Sequence, residues 1–217
     1  MSLSHIPRSR KWKFEFNLRF RESGRNFRMS RIPIKPANEY PWYLRLLYKR
    51  QEKRFGQPVQ PTQIWGRSPT LLLRFLAFFQ GLERRKSPIP PVLRALITVR
   101  VSQINHCAFC IDFNAMRVLK HRDQEEKLSA LKDFRTHEGY TPAEKAALAY
   151  AEAITYSNRE VDDALFSELC AHYDEDAIVE LTALIAFQNL SSKFNAALDI
   201  PSHGFCELGD GAQRDES

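Results

Sequence analysis

A chain of 217 residues with 43% hydrophobic and 12% aromatic side chains is long enough to bury a core, and its composition is that of a globular protein rather than a disordered or fibrous one. Its net charge of +6 is confined to residues 1–28, which hold eight Lys/Arg and two Glu; residues 29–217 balance at 24 basic and 24 acidic groups, so the body gives no electrostatic case for nucleic acid. Four cysteines (Cys107, Cys110, Cys170, Cys206) are too few for a disulfide scaffold, no apolar core of a secretory leader is present, and no run of about 18 apolar residues marks a membrane span; a cytoplasmic location is expected.

Residues 1–28 alternate Trp12, Phe14, Phe16, Leu18 and Phe20 with polar residues, the period of a strand with one apolar face. Together with the Pro-punctuated stretch that follows, they make a basic N-terminal arm and linker over 1–38. A first helix is expected over 41–55, with basic residues in its last turns, and Gly56 and Pro58 end it. Ser68-Pro69 reads as an N-cap and first helical proline for a helix over 69–82. That helix is apolar nearly all round, so it belongs in the core or at a subunit interface.

Pro88-Ile89-Pro90-Pro91 resets the chain, and a helix over 91–103 carries Leu93, Leu96, Ile97 and Val101 on one stripe. Ile104-Asn105-His106 reads as a turn in which Asn105 caps the next helix, placing Cys107 in its first turn and Cys110 one turn on, with the helix running to about 120. Asp123 is expected to cap a short helix through Leu128 and Leu131. Thr141-Pro142-Ala143-Glu144 is a capping box with proline at the first helical position, opening a helix to about 156. Helices over 163–173 and 176–198 follow. The expected fold class is an all-α bundle of seven or eight helices over 39–200, with an extended N-terminal arm and a polar C-terminal tail over 201–217.

The chemistry centres on His106-Cys107-Ala108-Phe109-Cys110. Cysteines at i and i+3 share a helix face, and a disulfide between them is feasible where the first sits at a helix end. Unpaired N–H groups at a helix N-terminus, with His106 beside them, lower a thiol pKa, and the thiolate is the species that attacks a peroxide or a disulfide. Three other readings stand beside the redox pair. Two cysteines on a buried face can be small hydrophobes. A zinc site would draw on Cys170, His172, His203 and Cys206, at irregular spacings and without a second C-x-x-C. A thioredoxin-like domain would need strands around the pair.

The stretch Pro90-Pro91-Val92-Leu93-Arg94-Ala95-Leu96-Ile97-Thr98-Val99-Arg100-Val101-Ser102-Gln103-Ile104-Asn105-His106-Cys107-Ala108-Phe109-Cys110 resembles the carboxymuconolactone decarboxylase family in its alkylhydroperoxidase D-like branch. The flanks fit as well: Trp65 to Pro69 before it, and the 180–198 helix with Asn195 near its end after it. The resemblance spans roughly 60–200. It implies an all-α fold, assembly as a homo-oligomer (dimer, trimer or hexamer), and thiol peroxidase chemistry without metal or organic cofactor. On that reading Cys107 and Cys110 cycle between dithiol and disulfide, acting on a hydroperoxide or disulfide substrate and re-reduced by a lipoylated or thioredoxin-like partner. The family makes the second cysteine, Cys110, the attacking thiol, whereas the helix-terminus argument points to Cys107.

Two departures from the family pattern fall on the proton relay. The family's histidine falls on Asn114 and its glutamate on Ala95, leaving His106, Asp112 and Gln103 as candidate supporting groups. Asp112 on a regular helix would point away from the pair. The other expectations are a redox sensor or non-enzymatic oligomer, and a cysteine-independent lyase like the family's decarboxylases.

Overall fold

The computed structural model describes residues 30–208. The strand-like alternation of the arm lies outside the described residues, as does 209–217. Among the described residues there are ten α-helices and no strand, so the fold is all-α, as expected. The helices are α1 (Trp42–Phe55), α2 (Gln60–Trp65), α3 (Pro69–Leu82), α4 (Pro91–Ile104), α5 (Ala108–Leu119), α6 (Glu125–Ser129), α7 (Pro142–Thr155), α8 (Asp163–Cys170), α9 (Glu175–Ala197) and α10 (Phe205–Leu208). The two beyond the expected seven or eight are α2 and α10, both too short to show a hydrophobic period.

Local signals set most boundaries. α1 stops at Gly56, whose φ of 72° is the left-handed conformation glycine adopts without a Cβ penalty. At the start of α7 the Thr141 hydroxyl accepts from the Glu144 N–H and the Glu144 carboxylate accepts from the Thr141 N–H. Three expected caps are absent, one of them at Asn105 in the turn before α5. Ser68 precedes α3 without a side-chain cap bond. Asp123 is itself in the left-handed region, at φ 59°, and α6 starts after Gln124.

α4 is the central element, packed against α5, α7 and α9. Leu96, Ile97, Val99 and Val101 are fully buried on it, each stabilising by about 1.5–3 kcal/mol. A polar seam joins α4 to α9: Gln188 donates to Ser102 Oγ at 2.8 Å, and Asn105 Nδ2 donates to Asn189 Oδ1 at 2.8 Å and Ser192 Oγ at 2.9 Å. Buried polar groups that satisfy one another fix the register of two helices that apolar packing alone would leave free to slide.

α3, expected in the core or at a subunit interface, lies only partly in the core. Leu72 and Leu82 are buried, but Leu71, Leu73 and Phe78 are 57%, 46% and 51% exposed. α2 and α9 cover one side of α3, and the described residues leave the other side open. One correction concerns the C-terminus. The stretch after Pro201 is not a loose polar tail as far as Cys206, because Phe205 is buried, Cys206 is half-buried and α10 packs on α5.

Candidate functional site

The turn between α4 and α5 decides the site. His106 holds φ 54°, its N–H donates to Gln103 O at 3.2 Å, and the Cys107 N–H donates to Ser102 O at 3.0 Å. These two bonds around a left-handed residue close α4 as a Schellman motif. His106 is thus an exposed turn residue, of a type that tolerates the left-handed region better than most. Asn105 terminates α4 and serves the seam to α9; it does not cap α5. Cys107 takes that place: it is the N-cap of α5, and its Sγ accepts from the Cys110 N–H at 3.2 Å.

Cys107 and Cys110 are joined as a disulfide, with Cα atoms 5.3 Å apart. Both are buried, at 1% and 3% exposure. Asn195, from the end of α9, donates its Nδ2 to Cys110 Sγ at 3.2 Å, a bond that favours the anionic form of sulfur once the pair is reduced. Its own Oδ1 is buried without a partner among the described residues. Asn195 stands 85 positions from Cys110, and nothing in the sequence pattern could have paired the two.

Asn114 lies one turn beyond Cys110 and is buried. Its Oδ1 accepts from Arg117 Nη1 at 3.0 Å, and Arg117 Nη2 pairs with Glu83 at 2.5 Å. A guanidinium therefore stands at the end of the turn where the family resemblance expects an imidazole. Arg117 follows Cys110 by seven residues, two helical turns, so helical spacing was the available signal for it. Ala95, 1% exposed, shares a cavity wall with Cys110 and Asn114.

The other candidate supporting residues are engaged elsewhere. Gln103 accepts from Arg100 at 3.1 Å. The Asp112 carboxylate accepts from the backbone N–H groups of His203, Phe205 and Cys206 at 2.9, 3.1 and 2.9 Å. It fastens the C-terminal segment across α5. Burial pushes the His203 pKa down, opposed by the charge of Asp112. Among the described residues no group of three or more His, Cys, Asp or Glu is placed to hold a metal ion, and Cys170 is exposed on α8.

Cys110 lines a cavity of about 610 Å³, whereas Cys107 does not. Its walls are largely aromatic: Trp65 stacks on Phe75 at 4.8 Å, and Phe75 meets Phe187 at 4.7 Å. Phe109 and Phe113 of α5 continue the wall beside Cys110. The arrangement presents one sulfur of a reducible pair to an apolar chamber with room for an organic molecule. Among the described residues no helix is long and apolar enough to cross a membrane.

Comparison with known proteins agrees with this picture. The sequence profile of the carboxymuconolactone decarboxylase family matches residues 69–153. The uncharacterized protein YnjA of Escherichia coli (strain K12) is 39% identical over 175 residues, covering 81% of this chain and 96% of YnjA. The structure of the debrominase Bmp8 superposes with a TM-score of 0.70 at 26% identity, over 85% of this chain and 97% of its own. A C-to-A variant of Bmp8 in complex with 2,3,4-tribromopyrrole superposes with the same TM-score at 25% identity, over 82% of this chain and 93% of its own. An alkylhydroperoxidase AhpD core, a peroxidase-related protein from Ralstonia eutropha JMP134, shares the fold at a TM-score of 0.73 and 19% identity, over 83% and 96% of the two chains.

Proposed function

Because the chain belongs to the carboxymuconolactone decarboxylase family, in its alkylhydroperoxidase D-like branch, we propose that it is a thiol-dependent peroxidase. The observation that carries this reading is the Cys107–Cys110 disulfide with Cys110 on the wall of an apolar cavity. In the reduced protein the Cys110 thiolate attacks the terminal oxygen of a hydroperoxide. The O–O bond breaks, Cys110 becomes a sulfenic acid, and the alkoxide leaves as an alcohol after taking a proton from water at the cavity mouth. The Cys107 thiol then attacks the Cys110 sulfur, forming the disulfide and releasing water. A dithiol partner, lipoylated or thioredoxin-like, returns the pair to the reduced state.

Cavity access and the Asn195 bond favour Cys110 as attacking thiol, against the N–H bond that would stabilise a Cys107 thiolate. Asn114 and Ala95 leave no proton acceptor at the family's relay positions, and the Arg117 guanidinium that bonds Asn114 is already paired with Glu83. The chemistry then runs more slowly than with a histidine in place.

A peroxide-consumption assay with a dithiol reductant tests the reading. Cys107→Ser and Cys110→Ser should each lose at least about 100-fold, a loss within the range that covalent-catalysis residues show. Unchanged activity in both overturns it and leaves the sensor, structural and lyase readings. The likeness to the debrominase Bmp8 and the aromatic walls favour one second reading: reductive dehalogenation, in which the two thiols supply two electrons, the carbon–bromine bond becomes carbon–hydrogen, and bromide leaves as the disulfide forms. Bromide release from 2,3,4-tribromopyrrole, without peroxide turnover, selects it. The proposal includes a homo-oligomer that covers the open face of α3, measurable by sedimentation, and a location in the cytoplasm, where a reversible C-x-x-C can cycle.

A further inference from the structure

The cavity that exposes Cys110 has mostly apolar walls and a cationic mouth. Its interior holds Trp65, Phe75, Phe109 and Phe187, with the polar side chains of Gln188 and Asn195 among them. Its mouth carries Arg50 and Arg54 from the last two turns of α1 and Lys120 from the end of α5, with Arg117 one turn further in. No Asp or Glu lines it. Arg117 has Glu83 as partner, but among the described residues Arg50, Arg54 and Lys120 form no ion pair. The Arg54 guanidinium lies over the Phe55 ring, 5.3 Å from its centroid.

Two helices thus bring Arg50, Arg54 and Lys120 together around the opening without a counter-charge. The crowding is felt: burial first, then Arg54 and Arg117, hold the Lys120 pKa below its usual value. Like charges gathered at the mouth of a low-dielectric cavity repel one another, and a bound anion relieves that repulsion. The N-terminal arm is a poor occupant, since its eight basic residues against two acids would add to the repulsion.

We propose that the cavity binds an amphipathic carboxylate, its head group held between Arg54 and Lys120 and its apolar body laid along the aromatic walls toward Cys110. Lys120 follows Cys110 by ten residues on α5, about 15 Å along the helix axis, the reach of a medium-length acyl chain, and the cavity volume suits a molecule of that size. Joined to the peroxidase reading, on which this second part rests, the substrate class is a carboxylic acid that bears a hydroperoxide on its apolar chain. The redox step is the one already written, with the alcohol-bearing acid as product.

Binding is measured on the oxidised protein, where no turnover occurs, by isothermal titration with decanoate below its micelle concentration and with decan-1-ol. Decanoate should bind at least tenfold more tightly than the alcohol, with a preference that shrinks as salt is raised. The double variant Arg54→Gln/Lys120→Gln should abolish the preference, and Lys120→Arg should keep it. Equal affinity for acid and alcohol, or a double variant that retains the preference, overturns the proposal. So does association with anionic phospholipid vesicles but not with monomeric decanoate. In the turnover arm, a fatty-acid hydroperoxide should show a lower KM than its methyl ester in the wild type and lose that advantage in the double variant. If neither hydroperoxide is consumed while decanoate binds as stated, the peroxidase reading fails and the anion site stands.

Discussion

Replacing Asp112 with alanine separates a fastening role from a proton-carrying one. The carboxylate is 8% exposed and accepts three backbone N–H bonds from the segment that crosses α5. Each hydrogen bond to a charged group contributes about 1.5–3 kcal/mol, so three intact amides would lose a large sum. The segment has an escape: it can peel from α5 and return its amides to water. That detachment gives up the burial of Ile200 and Phe205, about 1.5–3 kcal/mol each, which caps the loss. The expected destabilisation is therefore about 3–6 kcal/mol, a fall in Tm of roughly 6–24 °C for a chain of this size.

Urea and thermal denaturation measure the Asp112→Ala loss, and hydrogen exchange at residues 203, 205 and 206 locates it. Asp112→Asn keeps one acceptor oxygen and should lose about half as much. The pH profile of peroxide turnover should keep its shape in both variants. A loss under about 1 kcal/mol with those amides still protected would refute the fastening role, and loss of an ionisation from the pH profile would restore Asp112 as a proton carrier.

Glu152 is 1% exposed and is held by Arg100, Arg135 at 2.8 Å and Arg159 at 2.9 Å. Burial alone would raise its pKa, but hydrogen bonds from Arg135 and Arg100 hold it below the usual value of 4.5. A depressed carboxylate stabilises the fold fully above the ordinary value and loses that contribution as pH falls through the folded one. Glu152→Gln should cost about 2–4 kcal/mol near neutrality and flatten the acid limb of stability, read by urea midpoints between pH 3 and 7. Gly66→Ala places a Cβ against the Tyr48 hydroxyl, which donates to Thr62 O at 3.3 Å; a loss of about 1–3 kcal/mol is expected, and a melt that does not move refutes the packing. Asn114→His restores the family's relay group and should raise peroxide turnover by about 10-fold or more, with a new ionisation in the pH profile. No change in rate or profile means that the proton route bypasses position 114.

Much of this molecule is readable from local chemistry. Proline at the first helical position of α3, α4 and α7, the capping box at Thr141 and Glu144, and Gly56 after α1 are interactions within a few residues. They act wherever the chain goes, and helix boundaries follow from them. The same holds for Cys107 and Cys110, whose spacing brings the sulfurs together through the geometry of one helix end. A short element such as α2 carries no period to detect, and the role of His106 depended on a Schellman closure that moves the cap of α5 from Asn105 to Cys107.

What the tertiary structure alone decided is what surrounds the sulfurs. Asn195 reaches Cys110 only because the Gln188–Ser102 and Asn105–Asn189 bonds set α9 in one register against α4. Asp112 turned from candidate proton carrier to fastening because residues 203–206 fold back over α5. The aromatic chamber and its cationic mouth join α1, α2, α3, α5 and α9, segments that share no local interaction. Their meeting is fixed by burial of the common core around α4, a collective quantity that no window of sequence contains.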